Sequence, residues 1–188
     1  MPRTRLCVAV CGDGTATPAD ASWSAARDVG RALVEAGYRV MTGGLGGVME
    51  AACLGARQAP AYREGATVVL LPGHCADAAN AYADVVIPTG LDHARNALIS
   101  QADALVAIGG GAGTLSEIAL AWVHRRLVLA YRLPGWSGRV ADAPLDHRPR
   151  FAGLDGDQVF GVDSAVEVVN ILKARLPEYI AAVRTPGP

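Results

Sequence analysis

Lysine is almost absent from this chain. Its 188 residues carry 17 basic side chains, of which 16 are Arg and one, Lys173, is Lys. A Walker-type P-loop needs a Lys directly after its last Gly to reach the phosphates. A pyridoxal-phosphate enzyme needs one for its Schiff base. Lys173 follows no glycine loop and sits on the polar side of an amphipathic run over 168–175, which argues against both chemistries. Long apolar runs are also missing: none approaches the roughly 20 residues of a membrane span. Ala supplies 35 residues, so the 51% hydrophobic content reflects small side chains more than greasy ones. The N-terminus, Met1-Pro2-Arg3-Thr4-Arg5, is basic, but the apolar stretch behind it covers only 6–10, too short for the apolar region of a signal peptide. A net charge of -1 leaves no electrostatic footprint for nucleic acid or an acidic membrane. Cys7, Cys11, Cys53 and Cys75 lack ligand spacing, and buried free thiols in a reducing cytoplasm are the expectation. His74, His93, His124 and His147 have no partners at metal spacing; only His93 falls near the candidate site.

What is present is an alternation of short β-rich runs with helical stretches. Strands are expected over 6–10, 38–42, 66–71, 84–88, 104–108, 127–131 and 159–162. Helices are expected from Thr17-Pro18, as N-cap and first helical residue, to about 37, then to about 58, over 92–102, 114–125 and 164–176. This pattern implies an α/β fold: one domain over 1–188, a doubly wound, Rossmann-like parallel sheet with helices on both faces. Residues 132–157, rich in Pro, Gly, Asp and Arg, form the one long irregular stretch, read equally as a lid or a disordered insertion.

Three glycine-rich turns follow strands and precede helices: Gly12-Asp13-Gly14-Thr15, Gly43-Gly44-Leu45-Gly46-Gly47 and Gly109-Gly110-Gly111-Ala112-Gly113. In a doubly wound sheet such turns share the carboxyl edge where ligands bind. Glycine lets the backbone approach a phosphate, and a helix N-terminus offers free amides and a favourable dipole. The dinucleotide fingerprint is not met, because Thr114 stands where the third Gly would be and the second strand ends in Thr42-Gly43 rather than an acid. A mononucleotide or similar phosphate-bearing small molecule therefore fits better than NAD. Thr114-Leu115-Ser116-Glu117 reads as a capping box, Thr at N-cap and Glu at N3. Ser164-Ala165-Val166-Glu167 repeats the pattern with no glycine loop before it, so only that loop gives Glu117 functional weight. Arg95, in the first turn of an expected helix, opposes the helix dipole, which favours a ligand phosphate or carboxylate beside it, with an exposed, solvated Arg as the alternative.

The segments Gly43-Gly44-Leu45-Gly46-Gly47-Val48-Met49-Glu50, Arg95-Asn96 and Gly109-Gly110-Gly111-Ala112-Gly113-Thr114-Leu115-Ser116-Glu117 resemble the Lonely Guy superfamily over about residues 6–131. That superfamily includes nucleoside 5′-monophosphate phosphoribohydrolases, molybdenum-cofactor carrier proteins and the Rossmann domain of DNA-processing protein A. The resemblance implies hydrolysis of the N-glycosidic bond of a purine nucleoside monophosphate, with Arg95 and Glu117 as the catalytic pair and no cofactor. It assigns phosphate and nucleotide binding to the three loops, including Gly12, Gly14, Thr15, Met49, Glu50, Asn96 and Thr114. Gly109 stands where the hydrolase motif has Pro, and Asn96 where the hydrolases usually have Lys. Both look more like the carrier branch, so the alternative is a non-catalytic carrier with molybdenum cofactor, a pterin phosphate, as cargo. Either way the resemblance implies a homodimer or a higher homo-oligomer.

Overall fold

A computed structural model describes residues 5–151 and 153–184; the basic N-terminal residues 1–4 lie outside them. Seven strands, β1 (Cys7–Gly12), β2 (Arg39–Thr42), β3 (Thr67–Leu71), β4 (Val85–Pro88), β5 (Ala104–Ile108), β6 (Leu127–Tyr131) and β7 (Phe160–Val162), form one sheet. The order is β4-β3-β2-β1-β5-β6-β7 and every pairing is parallel. The chain steps outward from β1 to β4, then returns to the other side of β1 at β5. That reversal puts the topological switch point between β1 and β5. Strands β5 and β6 are buried at every residue, as a parallel sheet covered on both faces requires.

The helices are α1 (Ala21–Glu35), α2 (Val48–Arg57), α3 (Asn96–Ile99), α4 (Ala112–Val123), α5 (Trp136–Val140) and α6 (Ala165–Arg184). On one face of the sheet Val8, Val10, Val106 and Ile108 pack with Leu33 of α1, Val48 of α2 and Leu172 of α6. On the other, Ala9, Cys11, Leu105 and Ala107 pack with Ile99 of α3 and with Ile118 and Trp122 of α4. Among the described residues no helix is long and apolar enough to cross a membrane. Cys11 and Cys53 are buried as expected, whereas Cys7 is half-buried and Cys75 exposed; all four are free.

Several boundaries differ from the sequence reading, each for a local reason. Helix α1 starts at Ala21, not Pro18, because the Asp20 carboxylate accepts from both the amide and the hydroxyl of Thr17 at 2.7 Å, holding 17–20 in a turn. The expected helix over 92–102 is a 3-10 turn over Asp92–Arg95 followed by the single turn of α3. Helix α6 runs through Pro177 to Arg184. Tyr179 beyond the proline is buried and donates to Asp157 at 2.6 Å, so tertiary contacts outweigh the proline's cost of about 3 kcal/mol. The described part of the segment 132–157 is tied into the fold rather than irregular throughout. It carries α5, an antiparallel bridge from Ala143 to Val159, and Arg150, which stacks on Trp122 and holds Asp157 with two hydrogen bonds.

Candidate functional site

All three glycine turns leave the carboxyl ends of adjacent strands: β2, β1 and β5. They are bonded to one another as well. The Asp13 amide donates to Ile108 O at 3.3 Å, and the Val48 amide donates to Asp13 O at 2.9 Å. Gly12 is required by packing, since a Cβ there would collide with the Ile108 carbonyl and with Val48. Thr15 spends its amide and hydroxyl on the Asp13 carboxylate at 2.8 and 2.7 Å. In the second loop, Gly47 lies flush against the backbone of Asp13 and Gly14, and Gly44 faces Val69 and Leu71 of β3. Asn80 ties this loop down by donating to Gly44 O at 3.1 Å and Leu45 O at 3.3 Å. Gly14, Gly46, Met49 and Glu50 gather on one flank, with the Glu50 carboxylate 3.8 Å from the place a Gly46 Cβ would take.

The third loop is seated from below by α5. Ser137, fully buried, accepts the Gly109 amide at 2.7 Å and donates to Tyr131 O at 2.7 Å. The Trp136 amide donates to Gly110 O at 3.0 Å. The Gly109 amide is therefore consumed, and the free donors lie further along. Helix α4 begins at Ala112; its N-cap is Gly111, three residues before the Thr114 of the capping-box reading, with no side-chain cap. Ala112 and Gly113 therefore present amides that have no carbonyl one turn back in the helix. Nothing lies within 4 Å of where a Cβ would stand on Gly111 or Gly113, so this stretch of backbone faces open space.

The earlier start rotates Thr114 and Glu117 inward. The Thr114 hydroxyl donates to Gly12 O at 3.1 Å, joining the third loop to the first. Glu117 is 7% exposed and accepts from Arg95 Nη1 at 3.2 Å. Burial pushes the Glu117 carboxyl up to about 7, against the opposing pull of Arg95 and of a hydrogen bond from the Cys11 thiol. The same burial, with the Glu117 charge adding to it, raises Cys11 well above the usual thiol range. Ser164, by contrast, does cap its helix: its hydroxyl accepts the Glu167 amide at 3.2 Å while Glu167 accepts the Asp163 amide at 2.9 Å.

Arg95 is 8% exposed, and its guanidinium lies flush on Gly43, where any side chain would collide with it. Besides Glu117 it donates only to Asn96 Oδ1, at 2.9 Å and from the same Nη1. Nε is buried without a partner, and Nη2 has no acceptor among the described residues. The ring of His93 is solvent-exposed beside Asp92, not part of this cluster. No group of three His, Cys, Asp or Glu that could hold a metal occurs among the described residues. Sequence reasoning missed Cys11, Ser116 and Ser137; period-2 alternation along β1 puts Cys11 on the face of Ala9, but nothing local to Ser137 signals its reach to Gly109.

Comparison with known proteins places this geometry. The chain is 42% identical over 107 residues to an uncharacterized protein of Archaeoglobus fulgidus, covering 56% of this chain and 68% of that one. The molybdenum cofactor binding protein of Rippkaea orientalis superposes with a TM-score of 0.74 at 29% identity, over 91% of this chain and 97% of its own. The molybdenum cofactor carrier protein of Chlamydomonas reinhardtii does so with a TM-score of 0.71 at 26% identity, over 94% and 99%. The family model of SLOG cluster4 matches residues 5–152, spanning all three glycine loops, Arg95 and Glu117. The chain belongs to the SLOG cluster4 family.

Proposed function

We propose that this protein binds a phosphate-bearing pterin of the molybdenum-cofactor class at the switch-point edge and carries it without turnover. The observation that carries the reading is the uncapped start of α4, where Gly111 and Gly113 face open space. Glycines there admit a phosphate to backbone distance, and the helix dipole favours its charge. Arg95, with Nε and Nη2 unmatched by any acceptor among the described residues, supplies the side-chain cation, a role that falls to Arg in a chain with one lysine. The carrier reading gains over hydrolysis because Glu117 is covered and engaged by Arg95 and Cys11. The names of the two structural neighbours agree with it.

Hydrolysis of a purine nucleoside 5′-monophosphate is the second reading, and one observation favours it. A carboxyl that titrates at about 7 is suited to proton transfer at neutral pH. Glu117 would then activate water or stabilise the developing positive charge on the sugar. The partner in both readings is a small molecule rather than nucleic acid, given the net charge of -1. We assign the protein to a reducing cytoplasm, consistent with four free thiols, and to a homodimer, which sedimentation at micromolar concentration would test. The deciding experiment incubates purified protein separately with a pterin monophosphate, AMP and GMP, recording saturation binding and free base. Saturable pterin binding with no base released supports the carrier. Base release that Glu117→Ala abolishes supports the hydrolase, and binding of none of the three ends both readings.

A further inference from the structure

Asn96 sits 4% exposed between Arg95 and α4, with both ends of its side chain in use. Its Oδ1 accepts from Arg95 Nη1 at 2.9 Å, and its Nδ2 donates to Ser116 Oγ at 2.8 Å. Ser116 Oγ in turn donates to Gly113 O at 2.7 Å. The direction of this chain is forced. A guanidinium only donates, so the Asn96 carbonyl must face Arg95 and its amide must face Ser116. A backbone carbonyl only accepts, so the one hydroxyl hydrogen of Ser116 goes to Gly113. Asn96 and Glu117 together consume both hydrogens of Nη1, which fixes the guanidinium plane and not merely its position. One acceptor alone would leave that plane free to swing.

We propose that Asn96 and Ser116 are positioning residues that lock the Arg95 guanidinium to the Gly113 turn, so that a phosphate on that turn and the cation beside it are held in one fixed relation. This rests on the reading of α4 as a phosphate-binding edge. A pair that served only to dock α3 on α4 would show the same hydrogen bonds, but its loss would act whether or not Arg95 were present.

The test is a double-mutant cycle on the full chain, titrated with AMP and with a pterin monophosphate. Asn96→Ala is expected to weaken binding about tenfold, the scale of losing one hydrogen bond to a charged group. In an Arg95→Met background the same change is expected to add less than about twofold. Wild-type affinity in Asn96→Ala, or an equal loss with and without Arg95, overturns the proposal. Should Asn96→Ala not fold, Ser116→Ala carries the same cycle with a loss of about threefold, since it removes only the outer link. If wild-type protein binds neither probe, the functional reading fails on its own. The positioning claim is then decided by solvent exchange of the Arg95 Nε proton, followed by NMR. Exchange at least about fivefold faster in Ser116→Ala than in wild type supports it, on the scale of a weakened side-chain tie. Unchanged exchange overturns it.

Discussion

Glu117 is pulled in opposite directions, up to about 7 by burial and down by the Arg95 cation beside it. Desolvation is the larger effect, so the folded protein holds a proton on Glu117 through a range where the unfolded chain, with an ordinary value of 4.5, has released it. Stability from this group is therefore fully present below about 4.5 and is lost as pH rises through about 7. Glu117→Gln imitates the protonated form, so its melting temperature should match wild type near pH 5. It should rise above wild type by pH 8, by a difference corresponding to roughly 2–3 kcal/mol. A wild-type protein that gains relative to the variant as pH rises would contradict the assignment. In sequence, Glu117 and Arg95 could both be recognised as candidates, but not the direct ion pair between them. The pair joins residues 22 positions apart through a helix start that the capping-box pattern misplaces. The true capping box, Ser164 with Glu167, has no glycine loop before it.

Among the elements, the glycine loops do two different jobs, which substitution separates. Gly12→Ala drives a Cβ into the Ile108 carbonyl and should cost about 3 kcal/mol or more in denaturant unfolding. Gly113→Ala places its methyl in open space inside α4 and should leave stability unchanged or raise it by about 0.5 kcal/mol. It should weaken phosphate-ligand affinity at least tenfold, on the scale of a lost charge-assisted contact. Equal destabilisation by the two changes would show that both glycines serve packing alone. Helix α5 makes a third prediction: Ser137→Ala leaves the Gly109 amide and Tyr131 carbonyl unpaired in the interior and should cost about 1–3 kcal/mol by the same measurement. This buttress was illegible in sequence because its bond to Gly109 spans 28 residues, from a stretch whose composition reads as loop. Regular elements were far more legible, since burial of β5 and β6 on both faces demands continuous apolar runs. Helix ends were less so wherever a tertiary contact outweighed local chemistry, as Tyr179 does beyond Pro177.

At the scale of the whole molecule, the parallel order β4-β3-β2-β1-β5-β6-β7 brings together what the sequence scatters over a hundred residues. Because β1 lies between β2 and β5, the turns beginning at Gly12, Gly43 and Gly109 meet at one edge, and Arg95 reaches that edge from the turn before α3. The scarcity of lysine acquires a structural meaning here, as the buried cation at this edge is a guanidinium bonded to Asn96 and Glu117 rather than a flexible ammonium. On the proposed function, this edge seats a phosphate on the start of α4. Amide NMR during titration of 15N-labelled protein with a pterin monophosphate tests it most directly. Saturable shifts concentrated on Ala112, Gly113 and their loop neighbours, together with the Arg95 Nε signal, are the result predicted. No saturable shift, or shifts confined to another face of the sheet, would contradict it.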